Sequence, residues 1–347
     1  MLFLISLLPD NLENTLSDSS DSFSFAGILM NYILIAAALF ILEIVYFKLA
    51  DRFNIIDKPN ERSSHTGITL RGGGIIFYFG VLAWFIISGF QYPYFFAGLT
   101  AITFISFVDD VRTLSNKIRL VVQFGAMALM FYEVGIFREA WWLWILALII
   151  CTGILNAYNF MDGINGITAA YSITVLVLLA LVNQSVNFID QDLIWYTGIA
   201  VAVFAFFNYR QRAKCFAGDV GSTSIAFIII FLLAILILQT GNPIYLLFLT
   251  VYGLDAVWTI VRRVMKRENI SQAHRSHLYQ YLVNEHKVNK LLVSGVYGIV
   301  QLVIGLGIIE ATSWPAGRQW IFALVLLITG SIIYLLVKGM LIRKYSL

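Results

Sequence analysis

A chain of 347 residues that is 60% hydrophobic and 12% charged carries more apolar surface than a soluble core can hide, because soluble domains run at about 45–50% apolar and about 25% charged. This excludes an ordinary water-soluble enzyme and makes lipid the solvent. The net charge of +3 is modest, no nucleic acid is expected as a partner, and the two cysteines, Cys151 and Cys215, are too few for a disulfide framework.

The first 26 residues open on a short apolar piece without a basic n-region, which argues against a cleaved signal peptide. They then turn acidic and Ser-rich. The expectation is an extracytoplasmic N-terminal segment, disordered over most of 9–22, followed by one polytopic membrane domain over 27–347. Backbone groups in lipid must be satisfied within their own segment, and about 20 apolar residues cross a hydrocarbon layer of about 30 Å. The apolar runs are continuous rather than alternating, so the predicted fold class is an all-α integral membrane protein of about eleven transmembrane helices. The predicted spans are 27–49, 73–90, 92–108, 118–135, 140–157, 164–183, 193–208, 221–240, 243–262, 290–310 and 319–341. With eleven crossings, 21 of the 23 Lys and Arg residues fall on the C-terminal side, leaving only Arg138 and Arg318 opposite. The positive-inside rule then puts the C-terminus in the cytoplasm and the N-terminus outside.

Every unusual polar cluster falls in the loops of that cytoplasmic face. Asp109-Asp110 closes the third span, where two carboxylates repel each other and oppose the helix dipole. Either they form a solvated helix end paired with Arg112, or they hold a divalent metal, or one acts as base and the other as ligand. In Asn156-Ala-Tyr-Asn-Phe-Met-Asp-Gly-Ile-Asn-Gly166, the residues Asn156, Asn159 and Asp162 share one helical face, with Asn165 a further step on. Polar glue between helices needs fewer amides than this, so a ligand site is favoured. Asp219 in Gly218-Asp-Val-Gly-Ser222 reads as an N-cap or as a metal ligand beside an anion-binding helix start. Asp255 lies inside the ninth span, where an acid is costly unless it faces a polar interior, and reads as a support rather than a catalyst. His274, Arg275 and His277 form a late loop suited to phosphate recognition rather than zinc. The first loop runs from Asp57-Lys58 to Arg71-Gly-Gly-Gly74, basic and then glycine-rich, a weak phosphate signal on its own.

In this order, on one face of eleven spans, these motifs resemble the polyprenyl-phosphate N-acetylhexosamine-1-phosphate transferase family (glycosyltransferase family 4) over about residues 40–345. The resemblance implies an enzyme of the bacterial inner membrane that moves sugar-1-phosphate from a UDP-N-acetylhexosamine to undecaprenyl phosphate, releases UMP and starts a lipid-linked surface glycan. It implies Mg²⁺, with Mn²⁺ as a substitute, and leaves a homodimer open. Carried over by motif, Asp109, Asp110 and Asp162 become catalytic carboxylates. Asp219 becomes the principal metal ligand, with Asp110 beside it. Asn156, Asn159, Asn165, Lys58, Arg71, Asp255, His274, Arg275 and His277 become substrate contacts. The late loop reads His-Arg-Ser-His-Leu-Tyr-Gln rather than the triple histidine of the muramoyl-pentapeptide enzymes. It resembles the O-antigen-initiating branch that uses UDP-N-acetylfucosamine or UDP-N-acetylquinovosamine. A departure is Gly67-Ile-Thr, where relatives usually carry a proline. The rival reading is a transporter of an anionic or nucleotide-sugar substrate, whose site would lie near mid-membrane on broken helices.

Overall fold

The computed structural model describes residues 19–57, 68–269 and 275–345. Their long helices are α1 (Ser19–Arg52), α2 (Ile76–Ile87), α3 (Pro93–Val111), α4 (Asn116–Val134), α5 (Trp141–Met161), α6 (Ile167–Val186), α7 (Gln191–Asn208), α8 (Gly218–Thr240), α9 (Thr250–Met265), α10 (Lys290–Ala311) and α11 (Ala316–Tyr345). The only strands among the described residues are β1 (Ile56–Asp57) and β2 (Thr69–Leu70), an antiparallel pair two residues long. The all-α class therefore holds. Among the described residues, 8 helical stretches are long and apolar enough to cross a membrane, and α2, α4 and α7 lie outside that set. Eleven crossings remain an expectation.

Two boundaries differ from those read off the sequence. Helix α1 begins at Ser19, inside the stretch expected to be disordered; residues 1–18 lie outside the described residues. Helix α5 runs on to Met161, so Asn156 and Asn159 sit in its last turns and not in a loop. Nothing in Asn-Ala-Tyr-Asn-Phe-Met breaks a helix, and the first glycine comes only at Gly163.

Helix α8 is the axis of the molecule. Every residue over 220–233 is buried, as expected of a helix that is apolar all round. Phe95 of α3 stacks on Phe231 at 3.7 Å. Nearer the start of α8, hydroxyl pairs fasten the same two helices: Thr103 to Ser224 at 2.8 Å and Ser106 to Thr223 at 2.9 Å. Such small polar residues let membrane helices approach closely. The segment ahead of α2 comes closer still. A Cβ on Gly74 would overlap Gly221 of α8, and one on Gly221 would overlap Gly74.

That approach is locked by backbone bonds. Phe216 N–H donates to Leu70 O at 2.8 Å, Gly73 N–H to Phe216 O at 2.9 Å and Gly74 N–H to Ala217 O at 3.1 Å. Tyr46 of α1 donates its hydroxyl to Arg71 O from the other side. The result is a rigid strip that delivers the Arg71 side chain to the start of α8. At the rim, α1 and α11 turn side chains such as Leu34, Ile41, Trp320 and Leu324 outward. An apolar surface of that extent fits a lipid neighbour and not water.

Candidate active site

The last turn of α3 meets the first turn of α8. Asp110, whose side chain is fully buried, accepts the backbone N–H of Asp219 and of Val220, each at 2.9 Å. It also pairs with Arg71 Nε at 2.6 Å. Asp110 is thus the N-terminal cap of α8, supplied by another helix, and it satisfies donors that the helix itself cannot. Asp219 does not cap its own helix, and Ser222 bonds back to Gly218 O and Asp219 O. Both oxygens of Asp110 are engaged in this way, which leaves less room for the metal-ligand role that its motif suggested.

Asp219 and Asp109 face each other across the Arg119 guanidinium. Asp219 Oδ1 accepts Asn159 Nδ2 at 3.0 Å and lies 3.4 Å from Arg71 Nη2, while its Oδ2 lies 3.3 Å from Arg119 Nη2. Asp109 Oδ1 accepts Leu114 N–H at 2.6 Å, and its Oδ2 pairs with Arg119 Nη1 at 2.9 Å. The carboxyls of Asp109 and Asp219 themselves approach within hydrogen-bonding reach. Two acceptors can stay that close only with a proton or a cation between or beside them. The cations at hand are Arg71 and Arg119, not the adjacent Arg112 expected from the sequence.

Asn159 and Asp162 join this centre. Asn159 also reaches Ser222 Oγ at 3.2 Å. Asp162 accepts Thr168 Oγ1 at 2.6 Å, and burial, with the charge of Asp219 nearby, pushes its carboxyl up to about 6, against the pull of the Thr168 hydrogen bond. Asn156 and Asn165 do not join it. Asn156 is exposed and bonds back to Thr152 O; at i−3 on a helix its Cβ direction is shared with Asn159, but its amide turns to its own backbone. Asn165 is buried and holds Arg210 O at 2.7 Å, while Ser294 donates to its backbone carbonyl. It is a tie between loops.

The late loop is anchored behind the centre. Asp255 accepts Tyr334 OH at 2.9 Å, Leu278 N–H at 3.0 Å and Tyr297 OH at 2.9 Å, and its Oδ1 lies 3.3 Å from His277 Nδ1. Thr259 and Lys338 complete this buried cluster. Asp255 therefore acts as a support, as its depth in α9 suggested, and His277 is buried against it. From the same loop Tyr279 donates to Phe160 O at 2.9 Å, tying it to the end of α5. Gly163 makes room for this contact, since a Cβ there would fall on the Tyr279 hydroxyl. Arg275 is half-buried and near enough to Tyr279 to act on it electrostatically. Lys58 and His274 lie outside the described residues.

The sequence reading missed Arg119, the residue that bridges the Asp109 and Asp219 carboxylates. Its only signal was position, one turn inside α4 on the same face as Asp109-Asp110. It missed Tyr279 and Thr168 as well, since neither hydroxyl stands out among 17 tyrosines or in an apolar helix start.

Residues 92–237 match the family model described as Glycosyl transferase family 4, a stretch that contains Asp109, Asp110, Asn159, Asp162 and Asp219. Similarity to individual proteins reaches beyond it. A Bacillus subtilis protein named probable undecaprenyl-phosphate N-acetylglucosaminyl 1-phosphate transferase is 25% identical across 92% of this chain and 94% of its own length. An Escherichia coli O157:H7 protein named undecaprenyl-phosphate alpha-N-acetylglucosaminyl 1-phosphate transferase is 25% identical over 87% of this chain and 89% of its own. Its counterpart in strain K12 is 27% identical over 72% of this chain and 75% of its own. The acidic centre at the α3–α8 junction lies inside the region matched by the Glycosyl transferase family 4 model, and over most of its length the chain is similar to proteins named as undecaprenyl-phosphate N-acetylglucosaminyl 1-phosphate transferases.

Proposed function

We propose that this protein transfers sugar-1-phosphate from a UDP-N-acetylhexosamine to undecaprenyl phosphate and releases UMP, on the cytoplasmic side of a bacterial membrane. The observation that carries the reading is the meeting of Asp109 and Asp219 with Arg71, Arg119 and Asn159 at one helix start. A lipid phosphate and a nucleotide diphosphate repel each other. A site that joins them needs cationic side chains to screen charge, an amide to orient the donor, and carboxylates to hold a divalent cation.

Mg²⁺ fits the residues present. No group of three His, Cys, Asp or Glu side chains forms a cation cage among the described residues. Mg²⁺ does not require one, because it keeps several waters and takes one or two carboxylates together with substrate phosphates. Asp219 and Asp109 are the pair to hold it, with Mn²⁺ as a substitute, and when bound it would neutralise the diphosphate and the departing UMP. The residues of the chain do the rest. Arg71, pinned by Asp110, screens the anions; Asn159 orients the donor beside Asp219; Arg275 flanks the sugar side, while His277, buried against Asp255, holds the late loop in place and does not contact the donor as the motif suggested.

An oxygen of the lipid phosphate forms the new bond to the sugar-bearing phosphorus, and the bond from that phosphorus to the bridging oxygen breaks in line. The attacking phosphate is already ionised near neutrality, so no strong base is required, and we favour direct attack over an aspartyl-phosphate intermediate. The His-Arg-Ser-His-Leu-Tyr-Gln loop favours a 6-deoxy N-acetylhexosamine and a role in starting O-antigen. The relatives' names favour N-acetylglucosamine for those proteins.

The test is to incubate the purified protein with undecaprenyl phosphate, Mg²⁺ and a panel of radiolabelled UDP-N-acetylhexosamines, and to follow UMP and the lipid product. UMP release dependent on the lipid phosphate, and lost in Asp219→Asn, is the expected result. No lipid-linked product from any donor overturns the reading, and substrate flux into liposomes without UMP would favour a transporter.

A further inference from the structure

Arg119 holds a position that neither the motifs nor the family match assigns. It extends from the first turns of α4, with Nη1 2.9 Å from Asp109 Oδ2 and Nη2 3.3 Å from Asp219 Oδ2. One planar guanidinium therefore spans the two carboxylates. Arg71 approaches the same centre but is built in. Its Nε is 2.6 Å from the buried Asp110, its N–H donates to Ile55 O at 3.0 Å, and Tyr46 holds its carbonyl. Among the described residues, the Arg119 side chain is tied only to Asp109 and Asp219; at 25% exposed against 34% for Arg71, it is set apart by its partners and not by its exposure. A divalent cation and a guanidinium cannot occupy the same pair of carboxylate oxygens, since like charges at contact distance repel strongly even where solvent screens them.

We propose that Arg119 is the resident counter-cation of the Asp109–Asp219 pair, displaced from it when a divalent cation enters and then free to pair with a phosphate of the substrate. The proposal rests on the phosphate-transfer reading for its second half only. Three features suit Arg119 to the exchange. Its side chain is long, it is held only through its charged end, and a guanidinium binds carboxylate and phosphate with the same two-pronged geometry. Without a divalent cation the pair thereby avoids the cost of two facing carboxylates. Entry of the cation releases a phosphate ligand within one side-chain length, so donor and metal would bind cooperatively.

The test measures Mn²⁺ binding by electron paramagnetic resonance on the full-length protein in detergent, without substrate, for wild type, Arg119→Gln and Arg119→Lys. Removing the competing charge is expected to tighten Mn²⁺ in Arg119→Gln on the order of tenfold, with Arg119→Lys between it and wild type. UDP binding in saturating Mn²⁺ is expected to weaken in Arg119→Gln by a similar factor. A residue that merely braces the fold would weaken both ligands together. Unchanged or weaker Mn²⁺ affinity in a folded Arg119→Gln, judged by an unaltered melting curve, overturns the proposal, as does absence of Mn²⁺ binding in every form. If Arg119→Gln fails to fold, Arg119→Lys decides: Mn²⁺ affinity no tighter than wild type counts against the exchange. Failure of wild type to release UMP would overturn the transfer reading and leave the Mn²⁺ comparison standing.

Discussion

Asp110, at the end of α3, accepts the backbone N–H groups of Asp219 and Val220 at 2.9 Å each, so one carboxylate closes the start of the helix that carries another. The position of Asp219 is thereby set by a residue 109 places earlier in the chain. An Asp at the opening of α8 would ordinarily be expected to cap it. Here that task passes to a neighbouring helix, and the Asp219 carboxylate is left facing Asn159 and Arg119.

Asp110→Ala is expected to destabilise the protein as well as silence it. The change strips two helix N–H groups and Arg71 of their acceptor in a buried site, and breaking a buried pair from one side costs about 3–5 kcal/mol. Asp219→Asn should be silent but nearly as stable as wild type, because Arg71 keeps Asp110 and Arg119 keeps Asp109. Melting temperatures and UMP release, measured on both variants, separate the two roles. Equal melting of Asp110→Ala and wild type would remove the capping role.

Asp255→Ala should release the late loop. Asp255 is the shared acceptor for His277, the Leu278 N–H, Tyr297 and Tyr334, and no single partner replaces it. A loss of about 3–5 kcal/mol is expected, with faster proteolytic cleavage in the 263–289 segment at a temperature where wild type is resistant. Cleavage at the wild-type rate would contradict the anchoring role.

Gly163→Ala is expected to lower turnover at least about tenfold by pushing Tyr279 off Phe160 O. Space and not backbone freedom is at issue, because the added Cβ meets the Tyr279 hydroxyl first. Tyr279→Phe in the Gly163→Ala background should recover part of the loss, although Tyr279→Phe alone loses a hydrogen bond. A double variant worse than both singles would show that the clash is not the cause.

Asp162 links stability to pH. Its carboxyl is pushed up to about 6 from an ordinary value of 3.8, so the folded protein favours the neutral form. That contribution is complete below the ordinary value and is lost as pH rises through about 6. Melting in the absence of divalent cations should therefore weaken between about pH 4 and pH 6 by about 1–2 kcal/mol, the group being only partly enclosed. Asp162→Asn should flatten that slope. A cation beside Asp219 favours the charged form, so Mg²⁺ should move the window to lower pH. Identical slopes in wild type and variant would dissociate Asp162 from the effect.

The lipid setting and the helical class were legible in the residues themselves, because a chain so apolar has no other way to satisfy its backbone. The motifs around Asp109-Asp110, Asn159, Asp162 and Asp219 were legible for a related reason, since an acid or amide at the end of an apolar run is expensive and marks itself. What each polar group touches was decided only by tertiary packing. Asn156 and Asn159 lie on one helical face, yet only Asn159 meets Asp219; Asp110 became the cap of α8, a role that local spacing offers to Asp219, and the Asp219 carboxylate pairs instead with Asn159, Arg71 and Arg119. Periodicity reports which side of a helix a residue occupies, whereas the partner across the gap depends on where another helix ends. Arg119 shows this most clearly: it was one basic residue among 23 until α3, α4 and α8 brought it between two carboxylates.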